Sequence, residues 1–134
     1  MLTTAFARSA YAEAGRAQDS PRRTEYQAFA RMTRRLSAAI AAREGAGDGP
    51  AGFSELAAAA LDNLRLWTVL AADLSQPGNA LPEALRGQLL SLAAFTAGQT
   101  ERILAGQADG RVLVDINTAI MRGLRGETAS GEDA

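Results

Sequence analysis

Apolar positions along this chain recur at alternating spacings of three and four, the period of a helix that buries one face. The clearest run is Tyr26, Phe29, Thr33, Leu36 and Ile40. Ser20 followed by Pro21 is a good start for it: a hydroxyl N-cap, then proline where a missing N–H costs nothing. This helix is expected to extend to about Arg43. Arg31, Arg34 and Arg35 project from its other side and Arg23 flanks the stripe.

The same reading gives four more helices. Thr3 to Gly15 sets Phe6, Ala10, Tyr11 and Ala14 along one side. Glu44 to Gly52 carries four glycines and a proline, which predicts a flexible loop, the most mobile internal segment. Ser54 then caps a helix from Glu55 to Leu74. Its broad apolar face is Leu56, Ala60, Leu64, Trp67, Ala71 and Leu74, widened by Leu61 and Leu70. Asp62, Arg65 and Asp73 mark the opposite side, where Leu66 and Val69 also fall. Gln76-Pro77-Gly78-Asn79 reads as a type II turn. Pro82 opens the next helix, to about Ala105, with Leu81, Leu85, Leu89, Leu92, Thr96 and Ile103 as its stripe and Leu90 on the far side. Gly106 suits the position that ends it. The last helix, about Val112 to Leu124, groups Leu113, Ile116, Asn117, Ile120 and Leu124. The fold class is therefore all-α: a single-domain bundle of about five helices over residues 1–125, with a disordered C-terminal tail over 126–134.

Composition narrows the chemistry. There is no cysteine and no histidine, which removes the usual transition-metal ligands and the commonest nucleophile–base pairs. The reading is of a protein that is not an enzyme and needs no cofactor or metal. Asp62 and Asp73 share a side of one helix but stand about 16 Å apart by helical rise, too far to act together. All fourteen basic residues are arginine, against fifteen acids, for a net charge of −1. That balance argues against direct nucleic-acid binding, so the arginines of the second helix read as a solvated face. No stretch is long and apolar enough for a membrane span, and Arg8 and Glu13 interrupt any signal-peptide core near the start. A cytoplasmic location follows as the expectation.

What remains is surface. Trp67 with Asn63 one turn earlier is either a core tryptophan whose N–H is satisfied within the fold, the favoured reading, or an anchor for a partner. Asn117 reads as a structural hydrogen bond in the last helix. Leu66, Val69 and Leu90 stand on otherwise polar faces and form a candidate patch for an amphipathic helix of another protein. Asn63, Leu66, Trp67, Val69 and Leu90 are thus the candidate partner-binding residues.

An ordered set of short motifs runs from about Tyr11 to Leu124. Ser20-Pro21-Arg22 with Glu25-Tyr26 and Phe29 resembles the opening signature of the alphaproteobacterial flagellar biosynthesis regulator FlaF family. Asn63-Leu64-Arg65-Leu66-Trp67 with Asp73-Leu74 resembles the family's central helix. Asn79, Leu81-Pro82, Leu85-Arg86, Leu89 and Ser91-Leu92 are similar to its next segment, and Asp115-Ile116-Asn117, Ile120-Met121 and Gly123-Leu124 to its C-terminal signature. The segments 44–52 and beyond Arg125 carry no such signal. The resemblance implies a role in flagellin synthesis or secretion beside a second regulator, FlbT. Flagellin is then the expected partner, held in chaperone fashion. The alternative is post-transcriptional action on flagellin mRNA, through FlbT or directly through Arg23, Arg31, Arg34 and Arg35.

Overall fold

A computed structural model describes residues 20–46 and 49–124 of the chain. Four helices fill most of this span: α1 (Ser20–Ala46), α2 (Pro50–Leu74), α3 (Glu83–Leu104) and α4 (Arg111–Leu124). The described residues are all-α, with no strand among them. They hold four helices rather than about five; the helix expected over 3–15 and the tail over 126–134 lie outside them. α1 packs on α2 and on α4, α2 packs also on α3, and a thinner seam between α3 and α4 closes the ring.

The helices reach further into the glycine-rich segment than its composition suggests. Glu44 to Ala46 continue α1, and Pro50 to Gly52 already belong to α2. Proline explains the early start: Gly49 is extended (φ −66°, ψ 153°) and Pro50 takes the first helical position. Ser54 therefore lies inside the helix and does not cap it. Gly52 has a packing role instead. A Cβ built on it would stand 3.0 Å from the Arg43 Cα, so the missing side chain is what lets α1 and α2 approach here. The Arg43 guanidinium lies over the Phe53 ring, 5.0 Å from its centre.

In α1 the buried stripe is the expected one: Phe29, Thr33, Leu36 and Ile40 are buried and Tyr26 is half-buried. In α2 the face is rotated. The buried positions are Gly52, Leu56, Ala59, Ala60, Asn63, Trp67, Leu70, Asp73 and Leu74. From Leu56 onward, Leu56, Ala60, Asn63, Trp67, Leu70 and Leu74 alternate spacings of four and three without a break. Leu61, expected at the edge of the face, is 44% exposed, whereas Asp73, expected opposite it, is buried.

The connections explain the helix ends. Asn79 N–H donates to the Gln76 carbonyl (3.0 Å), which closes the expected turn. Gly78 does not take positive φ, so the geometry is not type II. The Asn79 side chain then works both ways: its Nδ2 donates to the Asp73 carbonyl (3.3 Å), and its Oδ1 accepts from Leu81 N–H (3.0 Å). This turn drives Leu81 into the core, 3% exposed, before α3 begins. At the far end of α3, Gly106 N–H donates to the Ile103 carbonyl and Gln107 N–H to the Arg102 carbonyl, with φ +76° at Gly106. That paired bonding is the Schellman ending glycine permits. Gly110 (φ +94°) precedes α4, and a Cβ there would meet Ile40 and Leu56 side chains at 3.4 Å.

Two glycine substitutions should move stability in opposite directions. Gly52→Ala forces the α1 backbone away and should cost about 1–3 kcal/mol. Gly98→Ala, in α3 with nothing within 4 Å of the new Cβ, should stabilise by about 0.5–1 kcal/mol. Urea unfolding followed by circular dichroism measures both, and a destabilising Gly98→Ala would contradict the packing described.

Candidate functional site

The core consists of two apolar clusters. One gathers Phe29, Trp67, Leu70, Leu74 and Leu81, the other Leu36, Ala39, Ile40, Leu56, Ala59, Ala60, Ile103 and Leu113. On every helix a buried polar residue stands between its members of the two clusters: Thr33 on α1, Asn63 on α2, Thr96 and Thr100 on α3, and Asn117 on α4. A polar layer thus crosses the middle of the bundle.

At the centre of this layer is a directed hydrogen-bond chain. Trp67 Nε1 donates to Asn117 Oδ1 at 3.0 Å, and Asn117 Nδ2 donates to Asn63 Oδ1 at 2.8 Å. All three side chains are fully buried. The indole N–H can only donate, so Asn117 must present oxygen to it, which leaves its NH2 for Asn63 and forces Asn63 to answer with oxygen. The Asn63 Nδ2 is then left with no acceptor among the described residues. Phe29 on α1 meets the indole edge-on, ring centres 5.7 Å apart at 78°. The threonines bond within their own helices: Thr33 Oγ1 donates to the Phe29 carbonyl (2.6 Å), and Thr100 Oγ1 to the Thr96 carbonyl (2.8 Å). Thr96 Oγ1 is buried without a partner among the described residues. Each unsatisfied buried group costs about 1–3 kcal/mol.

This geometry places the five candidate partner-binding residues differently from a surface patch. Asn63 and Trp67 are core, as the favoured reading of the tryptophan has it, and Asn117 is the structural hydrogen bond expected of it. Leu66 and Leu90 are half-buried and pack against the Trp67 cluster, and Val69 is half-buried. Leu66 and Val69 are therefore less exposed than expected, because the rotated face of α2 draws their flank toward the core. Among the described residues the large apolar side chains that do reach the surface are Leu61 on α2, Phe95 and Leu104 on α3, and Val112 on α4. Sequence reading missed Thr100 and the joining of the polar positions into one layer. The signal was there: Asn63 completes an unbroken four-and-three run only when counted as buried.

The charges on α1 are partly committed. Arg31 and Arg34 are exposed, while Arg35 pairs with Asp62 on α2, which also accepts from Arg65 at 3.0 Å. Arg35's hydrogen bond is the main reason the Asp62 carboxyl is held below its usual range, with the charges of Arg35 and Arg65 adding and partial burial opposing. A shallow groove between α1 and α4 is bordered by Ser37, Ile40, Glu44, Arg111, Val114 and Asp115. Its one cation, Arg111, is held by Glu44 and, at 2.7 Å, by Asp109. Among the described residues no three or more acidic side chains gather where a metal ion would sit, and no helix is long and apolar enough to cross a membrane.

These features define an all-α bundle keyed by a buried polar layer. The sequence model of the family described as flagellar protein FlaF matches residues 7–124, and the chain belongs to that family. It is accordingly a flagellar protein, in line with the motifs running from Tyr11 to Leu124. No curated protein and no solved structure matches the chain.

Two measurements check the geometry. Asn117→Ala strands both the indole N–H and the Asn63 carbonyl and should cost about 2–4 kcal/mol in urea unfolding. The Asp62 contribution has a set direction with pH. A carboxyl with a lowered folded pKa stabilises fully above its unfolded value of about 4 and loses that contribution as pH falls through the folded one. The stability gap between wild type and Asp62→Asn should therefore be constant near neutrality and close below about pH 4. Both partners are substantially exposed, so the gap itself should stay within about 1 kcal/mol.

Proposed function

We propose that this chain is a cytoplasmic flagellin-binding protein of the chaperone kind, promoting flagellin synthesis or secretion without catalysing a reaction. Membership of the flagellar protein family supports the setting. The observation that carries the mode of action is the set of large apolar side chains left on the surface, Leu61, Phe95, Leu104 and Val112. Such side chains are what an amphipathic helix of a partner buries, and unassembled flagellin offers its aggregation-prone terminal helices for that purpose. Affinity then comes from covering apolar surface, and release from competition by the export machinery. Action on flagellin mRNA, alone or with FlbT, has less support: Arg35 is engaged by Asp62, and the chain is net negative.

Size-exclusion chromatography of the full chain with monomeric flagellin tests this. A stoichiometric complex is expected at about 10 µM, and Phe95→Glu or Leu61→Glu should weaken it by about tenfold or more with helicity unchanged. Separate elution of the two proteins at that concentration would overturn the proposal.

A further inference from the structure

The four helices are not bound to one another by the same forces. Where both partners are described residues, every side-chain hydrogen bond and ion pair between helices joins α1, α2 and α4. Trp67 and Asn63 of α2 are tied to Asn117 of α4, Arg35 of α1 to Asp62 of α2, and Glu44 of α1 to Arg111 of α4. α3 takes part in none of them. It lies on α2 by apolar packing of Leu85, Leu89 and Leu92, and its seam with α4 is the thinnest in the ring.

The inward side of α3 is also poorly matched to its neighbours. Only Thr96, Thr100 and Ile103 of this helix are buried, and two of those three are polar. Among the described residues the Thr96 hydroxyl has no partner, and neither has the Asn63 NH2 in the same layer. Withdrawal of α3 would let water reach the Thr96 hydroxyl, which offsets part of the apolar area lost. α3 is joined to the helices on either side by non-helical connections. Pro82 and the Asn79 turn bound one end, and Gly106 and Gly110, both at positive φ, bound the other.

We propose that α3 is a hinged cover that leaves the α1–α2–α4 body as one unit while that body stays folded. Opening uncovers the side of α2 around Trp67, Leu70 and Leu74. The proposal does not depend on which partner the protein has.

Hydrogen exchange of the full chain under native conditions, read by mass spectrometry, tests it. Amides across the middle of α3 should share one opening equilibrium and exchange about tenfold or more faster than those of α1 around Leu36 and of α2 around Ala60. Thr96→Val removes the unpartnered hydroxyl at nearly equal volume and should slow α3 exchange severalfold, leaving α1 unchanged. Exchange of α3 at the rate of α2, a gradient running inward from the ends of α3, or a Thr96→Val variant with unaltered or faster α3 exchange would each overturn the proposal. The wild-type comparison decides even if the variant does not fold.

Discussion

A tryptophan N–H has no acceptor face, and burying it obliges the rest of the interior to supply one. Trp67 is the largest side chain in the core and is fully buried, so that obligation shapes everything near it. Asn117 answers it from α4, Asn63 supports Asn117 from α2, and Phe29 closes over the ring from α1. Three helices are thereby given one relative register. Apolar packing alone is tolerant of small slips along a helix; a chain of amides with fixed donors and acceptors is not.

Around this centre the bundle is fitted by absence as much as by contact. Gly52 and Gly110 stand where a methyl group would press on Arg43, or on Ile40 and Leu56. Both sites lie at the end of the bundle where α1 turns into α2 and α4 begins, and the Arg111–Glu44 pair stands at the same end. The other end depends on larger side chains, with Leu74 and Leu81 packed beneath the Asn79 turn. The polar layer separates these two regimes and meets α3 with threonines.

Much of this was readable from the chain and some was not. The stripe of α1 was plain because its apolar residues are few and its arginines many. The stop at Gly106 was plain because only glycine enters the left-handed region freely. The face of α2 is hard to read because so much of its circumference is apolar that no wheel singles out one side, and the residue that decides it, Asn63, is polar. The segment 44–52 reads as loop because glycines usually mark irregular chain, whereas Gly45, Gly49 and Gly52 accompany a helix end, a proline-led start and a close crossing. Leu66 and Val69 are half-buried because rotating α2 brings their flank nearer the core. Which helix pairs are tied by polar bonds is a matter of tertiary placement, and no spacing within one segment reveals it.

The amide chain has an evolutionary consequence. Asn63, Trp67 and Asn117 lie on two helices some fifty residues apart in sequence, yet each one's hydrogen-bonding groups are assigned by the others. A lineage that loses Trp67 or Asn63 inherits one stranded amide group in a dry interior, and one that loses Asn117 inherits two, so the easy drift that surface positions enjoy is closed to all three. They are expected to persist together or to be replaced together, as a single heritable character written in two distant places of the gene.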